Sequence, residues 1–357
     1  MTVKMSRGTT RVCARVGPSP GEVHRPRSTH PAGRPRRSLP IWRTCSGRTI
    51  VVAAVLFGLL NAGCARPSAY KAPVSKFRDA SAVVIESTKV YLTALNKTER
   101  DHYIDDQVAS RGQIQLTRIE EVQVFSADAI AARVNALDQL ANYTELLFRL
   151  ATSDAPATVQ GSAKDLGTAL TNLSGQVNKL GGPDDAKFKA AVNTVFPVIG
   201  NVLQALVEQR IEDALKKAIT TGAAPVNDLI EAIKVDAEIS FERKRNVLSK
   251  RRSDAVLQYN TEFQKGANAS PAALRRYADV ISDTEDQWEV FKTAQPTSGL
   301  AAMQRANTAL EKFARTRKPT ISDFASFVDA VEVFASAAAR VGQGLQQLLS
   351  LQQRTAK

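Results

Sequence analysis

From about residue 75 to its end the chain keeps one pattern: apolar side chains three and four positions apart, the spacing of one face of a helix. No stretch shows convincing strand alternation, and only Gln113 to Phe125 is a candidate for extended chain. A sequence with one period and no second one folds as helices packed on helices. Phe77, Ala80, Val84, Tyr91 and Leu95 share a face of the first helix. A second helix starts near Ser126 and points Ile130, Val134, Leu137, Ala141 and Phe148 inward. Asp154-Ala155-Pro156 opens a third, which carries Gly161, Gly167 and Gly175. Gly181-Gly182-Pro183 is a stop followed by proline at a first helical position. The next helix is expected to reach about Thr220, with a kink at Pro197, and Gly222 to Pro225 to break the chain again. A long helix is expected from Pro225 to Lys265. Ser270-Pro271 starts another that ends near Pro296, and one more spans Leu300 to Arg317.

The last helix has the fullest pattern. Thr320 and Asp323 have the spacing of a capping box. Behind them Ile321, Phe324, Val328, Val331, Ala335, Ala338, Gly342, Leu345 and Leu349 step by threes and fours. Phe327, Phe334, Val341 and Leu348 add a parallel row at intervals of seven. Together they predict a face wider than a coiled-coil seam, with Ala and Gly in its middle where a neighbouring helix can approach closely. The fold class expected is all-α: an elongated multi-helix bundle with long antiparallel helices, occupying residues 75–357.

Charge divides the chain differently. The formal net charge is +13, but residues 1–64 hold eleven Lys/Arg against one acid, Glu22, so +10 of it sits there and only +3 on the remainder. The basic character therefore belongs to the leader, and nucleic acid is not an expected partner. Residues 1–48, rich in Arg, Pro, Ser and Gly without apolar period, form a basic leader expected to be disordered, a preamble long enough to point to a translation start nearer Thr49. Residues 49–63 follow with the apolar run Thr49 to Leu60, too short to span a bilayer but suited to a signal-peptide core.

The run ends in Leu60-Asn61-Ala62-Gly63-Cys64. This segment resembles the lipobox of bacterial lipoproteins: an aliphatic residue, two small residues, then cysteine. Asn61 stands where the family usually has Leu, Val or Ile. The resemblance covers residues 49–65 and implies cleavage between Gly63 and Cys64 with acylation of Cys64, typically by palmitate-like chains. Two or more chains anchor stably at ~0.8 kcal/mol per buried CH₂. Residues 64–74 become a lipidated tether. Ala65, where inner-membrane lipoproteins commonly carry Asp, implies the periplasmic side of an outer membrane if the cell is Gram-negative.

Few residues offer chemistry. Histidine is limited to His24, His30 and His102, and cysteine to Cys13, Cys45 and Cys64. A multi-histidine metal site is thereby excluded, and no catalytic residue, metal ligand or cofactor is assigned. Glu99 and His102 have the spacing of one half of a di-iron motif, but no second half can exist. Phosphate-loop, dinucleotide and nucleophile-elbow motifs are absent. The pairs Asp105-Asp106, Glu120-Glu121 and Asp184-Asp185 diverge on a helix, and Asp184-Asp185 suits a helix N-terminus. Tyr277, Ile281 and Trp288 share a face that reads as core.

One cluster is sharper. Arg243-Lys244-Arg245 and Lys250-Arg251-Arg252 lie seven residues apart on the long helix, nearly two turns, and so share a side. Two readings stay open: an anion-contacting stripe for lipid headgroups, an acidic partner or an anionic glycan, or a solvated face whose charges pair with neighbouring helices. The expectation from the whole sequence is a membrane-anchored envelope lipoprotein acting as a non-enzymatic scaffold or accessory module for an envelope protein partner. The alternative is an envelope protein holding an apolar or anionic ligand between helices, its pocket walled by the Ala/Gly face of the last helix. A cell-wall hydrolase and a helical membrane-active protein are further alternatives.

Overall fold

Helix-forming sequence with well-placed caps gives helices here, and in the computed structural model every regular element among the described residues is helical. Residues 67–153, 155–181, 185–208 and 211–355 are described. The chain divides into units 1–60 and 61–357, and the described residues all belong to the second. The expected leader, the signal-peptide core, Gly63 and Cys64 lie outside the described residues.

In chain order the helices are α1 (Pro67–Ser110), α2 (Leu116–Glu121), α3 (Ala127–Thr152), α4 (Pro156–Asn178), α5 (Asp185–Glu208), α6 (Ile211–Phe263), α7 (Pro271–Thr293), α8 (Pro296–Arg315) and α9 (Ile321–Thr355). Their starts follow the expected chemistry. Ser126 Oγ accepts from the Ala129 amide, and Ser270 Oγ from that of Ala273. Thr320 and Asp323 close a reciprocal box: the Thr320 amide donates to Asp323 Oδ2 at 2.8 Å and the Asp323 amide to Thr320 Oγ1 at 3.1 Å. Those bonds, from backbone and hydroxyl, hold the Asp323 carboxyl below its usual value.

Side-chain pairs fix the directions. Lys89 with Asp138 and Arg78 with Glu145 set α3 antiparallel to α1. Tyr70 on Phe313, and Val84 against Gly299, do the same for α8. Phe77 beside Phe334 with Val83 against Gly342 shows α9 running parallel to α1, and Tyr91 beside Phe241 with Asp105 on Arg251 shows the same for α6. Gly222 against Val198 makes α5 and α6 an antiparallel hairpin, and α7 returns along α6 through Arg252 and Glu285. The main core threads most of these helices, and a second cluster gathers Tyr91, Phe241, Leu248, Phe291, Leu345 and Leu348.

Several boundaries differ from expectation. The tether expected over 64–74 is helical from Pro67, because Tyr70 and Val74 are buried on the core and fix the first turns. Gln113 to Phe125 is not a strand; it holds the short helix α2. The helix expected to reach Thr220 is described in two parts, α5 to Glu208 and α6 from Ile211. The break expected at Gly222–Pro225 does not occur: α6 runs 53 residues, about 80 Å at 1.5 Å per residue, with Pro225 inside it. Its neighbour α8 donates into the backbone around that proline: Arg315 to the Thr220 carbonyl, Asn307 to that of Ala223 and Gln304 to that of Asn227. Proline removes the donor that would reach the Thr221 carbonyl and crowds the preceding turn; the three side-chain donors reach carbonyls around that position and hold α6 against α8 on both sides of the proline.

One face is also shifted. In α3 the buried line is Ala129, Arg133, Ala136, Leu140, Tyr143, Leu147 and Leu150, with the expected Leu137 buried beside it, while Ile130, Ala141 and Phe148 pack at its margin. In α9 burial follows Phe327, Val331, Phe334, Ala337, Ala338, Val341, Gly344, Leu345 and Leu348, and Phe324, Val328, Ala335 and Gly342 are half-buried beside them. That is the expected face, wider than a heptad seam, and only Ile321 and Leu349 at its two ends are exposed. The glycines do admit close neighbours: a methyl on Gly344 would stand 2.9 Å from the Ala294 backbone, and one on Gly342 2.8 Å from Val83. The middle of α9 is thus tightly packed and does not wall the expected pocket.

Candidate functional site

The six basic residues of α6 disperse into separate neighbourhoods. Arg252 lies 4.8 Å over the Trp288 ring and donates to both Glu285 oxygens at 2.8 and 2.9 Å. Lys250 bridges Asp254 at 2.9 Å and Asp106 at 3.0 Å, and hydrogen bonds to those two carboxylates, Asp254 first, hold its ammonium above the usual value. Arg251 pairs with Asp105 at 3.0 Å, and Arg245 with Glu242. Arg243 is exposed. Lys244 alone turns into the bundle. These pairs are at least partly exposed and of small stability value singly, but those with Asp105, Asp106 and Glu285 link α6 to α1 and α7.

The other sequence candidates are spread as well. His102 stands 3.7 Å from Asp106. Among the described residues no group of three or more His, Cys, Asp or Glu is placed to hold a metal ion. Asp185 opens α5, as its type suits, and is buried. Trp288 packs at the edge of the second apolar cluster, beside Phe291. Helix α5 is long and apolar enough to cross a membrane, but Phe188, Val192, Val198, Ile199 and Val202 are buried in the main core.

Two assemblies were not legible beforehand. The first is Arg133, with 0% of its surface exposed. Its Nε donates to Asp236 at 2.7 Å, and its Nη1 to Asp185 at 3.0 Å and to the Ala129 carbonyl at 3.1 Å. Phe125 and Phe188 lie 4.0 and 4.8 Å from the guanidinium carbon. This centre ties α3, α5 and α6 together, and its third guanidinium nitrogen, Nη2, is buried with no hydrogen-bond partner among the described residues. The signal for it is register: Arg133 falls on the same three-and-four line as Ala129, Ala136 and Leu140.

The second lies where α1, α6 and α9 meet. An apolar cavity of about 90 Å³ is lined by Tyr91, Leu95, Thr98, Lys244, Leu345 and Leu348 among others. Lys244, Ala94 and Thr98 also border a polar hollow of about 260 Å³ with Lys97, Asp101 and Arg251. The Tyr91 hydroxyl is buried and has no hydrogen-bond partner among the described residues, and burial pushes its pKa up. Burial lowers the Lys244 ammonium to about 8; Arg251 and Lys97 add to this and Asp101 opposes it.

At the far end of α1 the surface changes character. An open groove of about 700 Å³ runs between α1, α6 and α7, bordered by His102, Asp105, Lys250 and Asp283. Around this end Val108, Leu116, Leu257 and Phe263 are each more than 60% exposed. No family model, curated protein or solved structure matches the chain.

Proposed function

We propose that this chain is a lipid-anchored protein of the bacterial cell envelope whose helical bundle acts as a non-enzymatic scaffold or accessory module. The observation carrying this reading is the placement of α1. It begins at Pro67, three residues after Cys64, and runs 44 residues, about 66 Å. An acylated Cys64 leaves almost no slack before that helix, so the anchor would hold its start at the bilayer. The other end would be held tens of ångströms away, where Val108, Leu116, Leu257 and Phe263 are exposed. Val207 and Ile321 are as exposed on other helices, and it is the open groove beside Val108 that marks this end as a contact surface. A partner protein in the envelope is the expected occupant, and the periplasmic side of an outer membrane the expected place in a Gram-negative cell.

The test is intact mass and fractionation in the native host, beside Cys64→Ala. Wild type is expected to lose residues 1–63, gain acyl mass and sediment with membranes, and the variant to do none of these. Wild type that keeps its leader and stays in the soluble fraction overturns the anchor. A photo-crosslinker at position 257 is expected to capture a defined protein that one at position 161, on α4, does not; equal capture at both removes the scaffold reading.

A further inference from the structure

The cavity at Lys244 has the parts of an anion site that nothing within the chain fills. Its floor is apolar: Leu95 of α1 with Leu345 and Leu348 of α9. Tyr91, 6% exposed, brings a hydroxyl with no partner among the described residues. Buried hydroxyls are almost always hydrogen-bonded, so an orphan facing a cavity points to a group that enters it. The neighbouring hydroxyls are engaged: Thr98 donates to the Ala94 carbonyl and Ser240 to that of Asp236. Lys244 stands between the apolar slot and the polar hollow, and no carboxylate lies within ion-pair distance of it among the described residues. Of the charges facing it, Lys97 and Asp101 on α1 pair with each other, and Arg251 on α6 pairs with Asp105. The hollow keeps a net positive charge, which repels cations and favours an anion beside the ammonium.

We propose that this cavity binds a short aliphatic carboxylate, its tail against Leu345 and Leu348 and its carboxylate on the Lys244 ammonium, with the Tyr91 hydroxyl donating a second hydrogen bond. The slot sets the size. At about 90 Å³ it is smaller than the roughly 150 Å³ that admits benzene, so it takes a chain of a few carbons and no ring. One ammonium and one hydroxyl match the two oxygens of a carboxylate, and the apolar floor rejects a free inorganic anion. The site is separate from the scaffold reading and stands or falls without it.

The test is calorimetric titration of butanoate into the full chain in buffer, with buffer alone as the blank and butanol as the uncharged control. At pH 6.5 butanoate is expected to bind more tightly than butanol. The Lys244 ammonium loses its proton near pH 8, so butanoate affinity is expected to fall about thirtyfold by pH 9.5 while butanol stays constant. Lys244→Met is expected to abolish the preference for butanoate, and Tyr91→Phe to weaken butanoate several-fold. Butanoate bound no better than butanol at pH 6.5, or an affinity unchanged between the two pH values, overturns the proposal in wild type alone. So does Lys244→Met binding butanoate as tightly as wild type.

Discussion

Replacing Arg133 by methionine removes a positive charge from the most enclosed polar centre of the bundle while nearly keeping its volume. The guanidinium contacts Asp236 at 2.7 Å and Asp185 at 3.0 Å, both themselves buried. Breaking a buried pair from one side costs about 3–5 kcal/mol, because the remaining charge stays out of water. The aromatic faces of Phe125 and Phe188 add about 1 kcal/mol of cation–π contact that a thioether recovers only in part. The loss expected is therefore about 4 kcal/mol. At roughly 2.1 cal/mol/K per residue, a domain of about 290 residues unfolds with about 0.6 kcal/mol/K, so the melting temperature should fall by roughly 6–7 °C. Thermal and urea unfolding of the full chain, followed by circular dichroism, reads both quantities. A second variant isolates the charge. Adding Asp236→Leu and Asp185→Asn to Arg133→Met is expected to recover part of the loss, since well-packed apolar groups often replace a buried ion cluster without penalty. A single variant losing less than 1 kcal/mol, or a triple variant no more stable than the single, would refute the reasoning.

Gly344→Ala is expected to destabilise by about 2 kcal/mol in the same unfolding assay, because the new methyl meets the Ala294 backbone at 2.9 Å and backbone cannot yield as a side chain does. Gly161→Ala, with nothing within 4 Å, is expected to stabilise by up to about 1 kcal/mol through helix propensity alone; opposite signs at the two glycines are the check. Lys244→Met is expected to raise stability at pH 7 by roughly 2–3 kcal/mol. The folded-state value of Lys244, about 8, lies below its unfolded value, so the unfolded chain binds the extra proton between pH 8 and about 10.5. Wild-type stability should rise with pH across that window, and the variant's rise should be smaller; parallel urea midpoints from pH 7 to 10.5 would contradict this.

The helical class, most helix starts and the location of the core in α1 and α9 follow from local pattern in the chain. Those are consequences of period and of caps, which act within three or four residues: Ser126, Ser270 and the Thr320–Asp323 box need only their own turn. Tertiary structure decided what depends on neighbours distant in sequence. Pro225 reads locally as a break, yet α6 continues through it, with Asn307 and Arg315, some 80 to 95 residues away, donating to carbonyls beside it. The close approach of α5 to α6, with Val198 against Gly222, brings together positions 24 residues apart that helical period alone does not pair. Arg133 reads as a solvated charge until Asp185 and Asp236, 52 and 103 residues on, enclose it. The basic residues of α6 share one helix, and their fates diverged with what lay opposite: carboxylates for Lys250, Arg251 and Arg252, and an apolar cavity for Lys244. Spacing along one helix gives direction but not distance to the next, and the charge state and partners of a side chain depend on that distance.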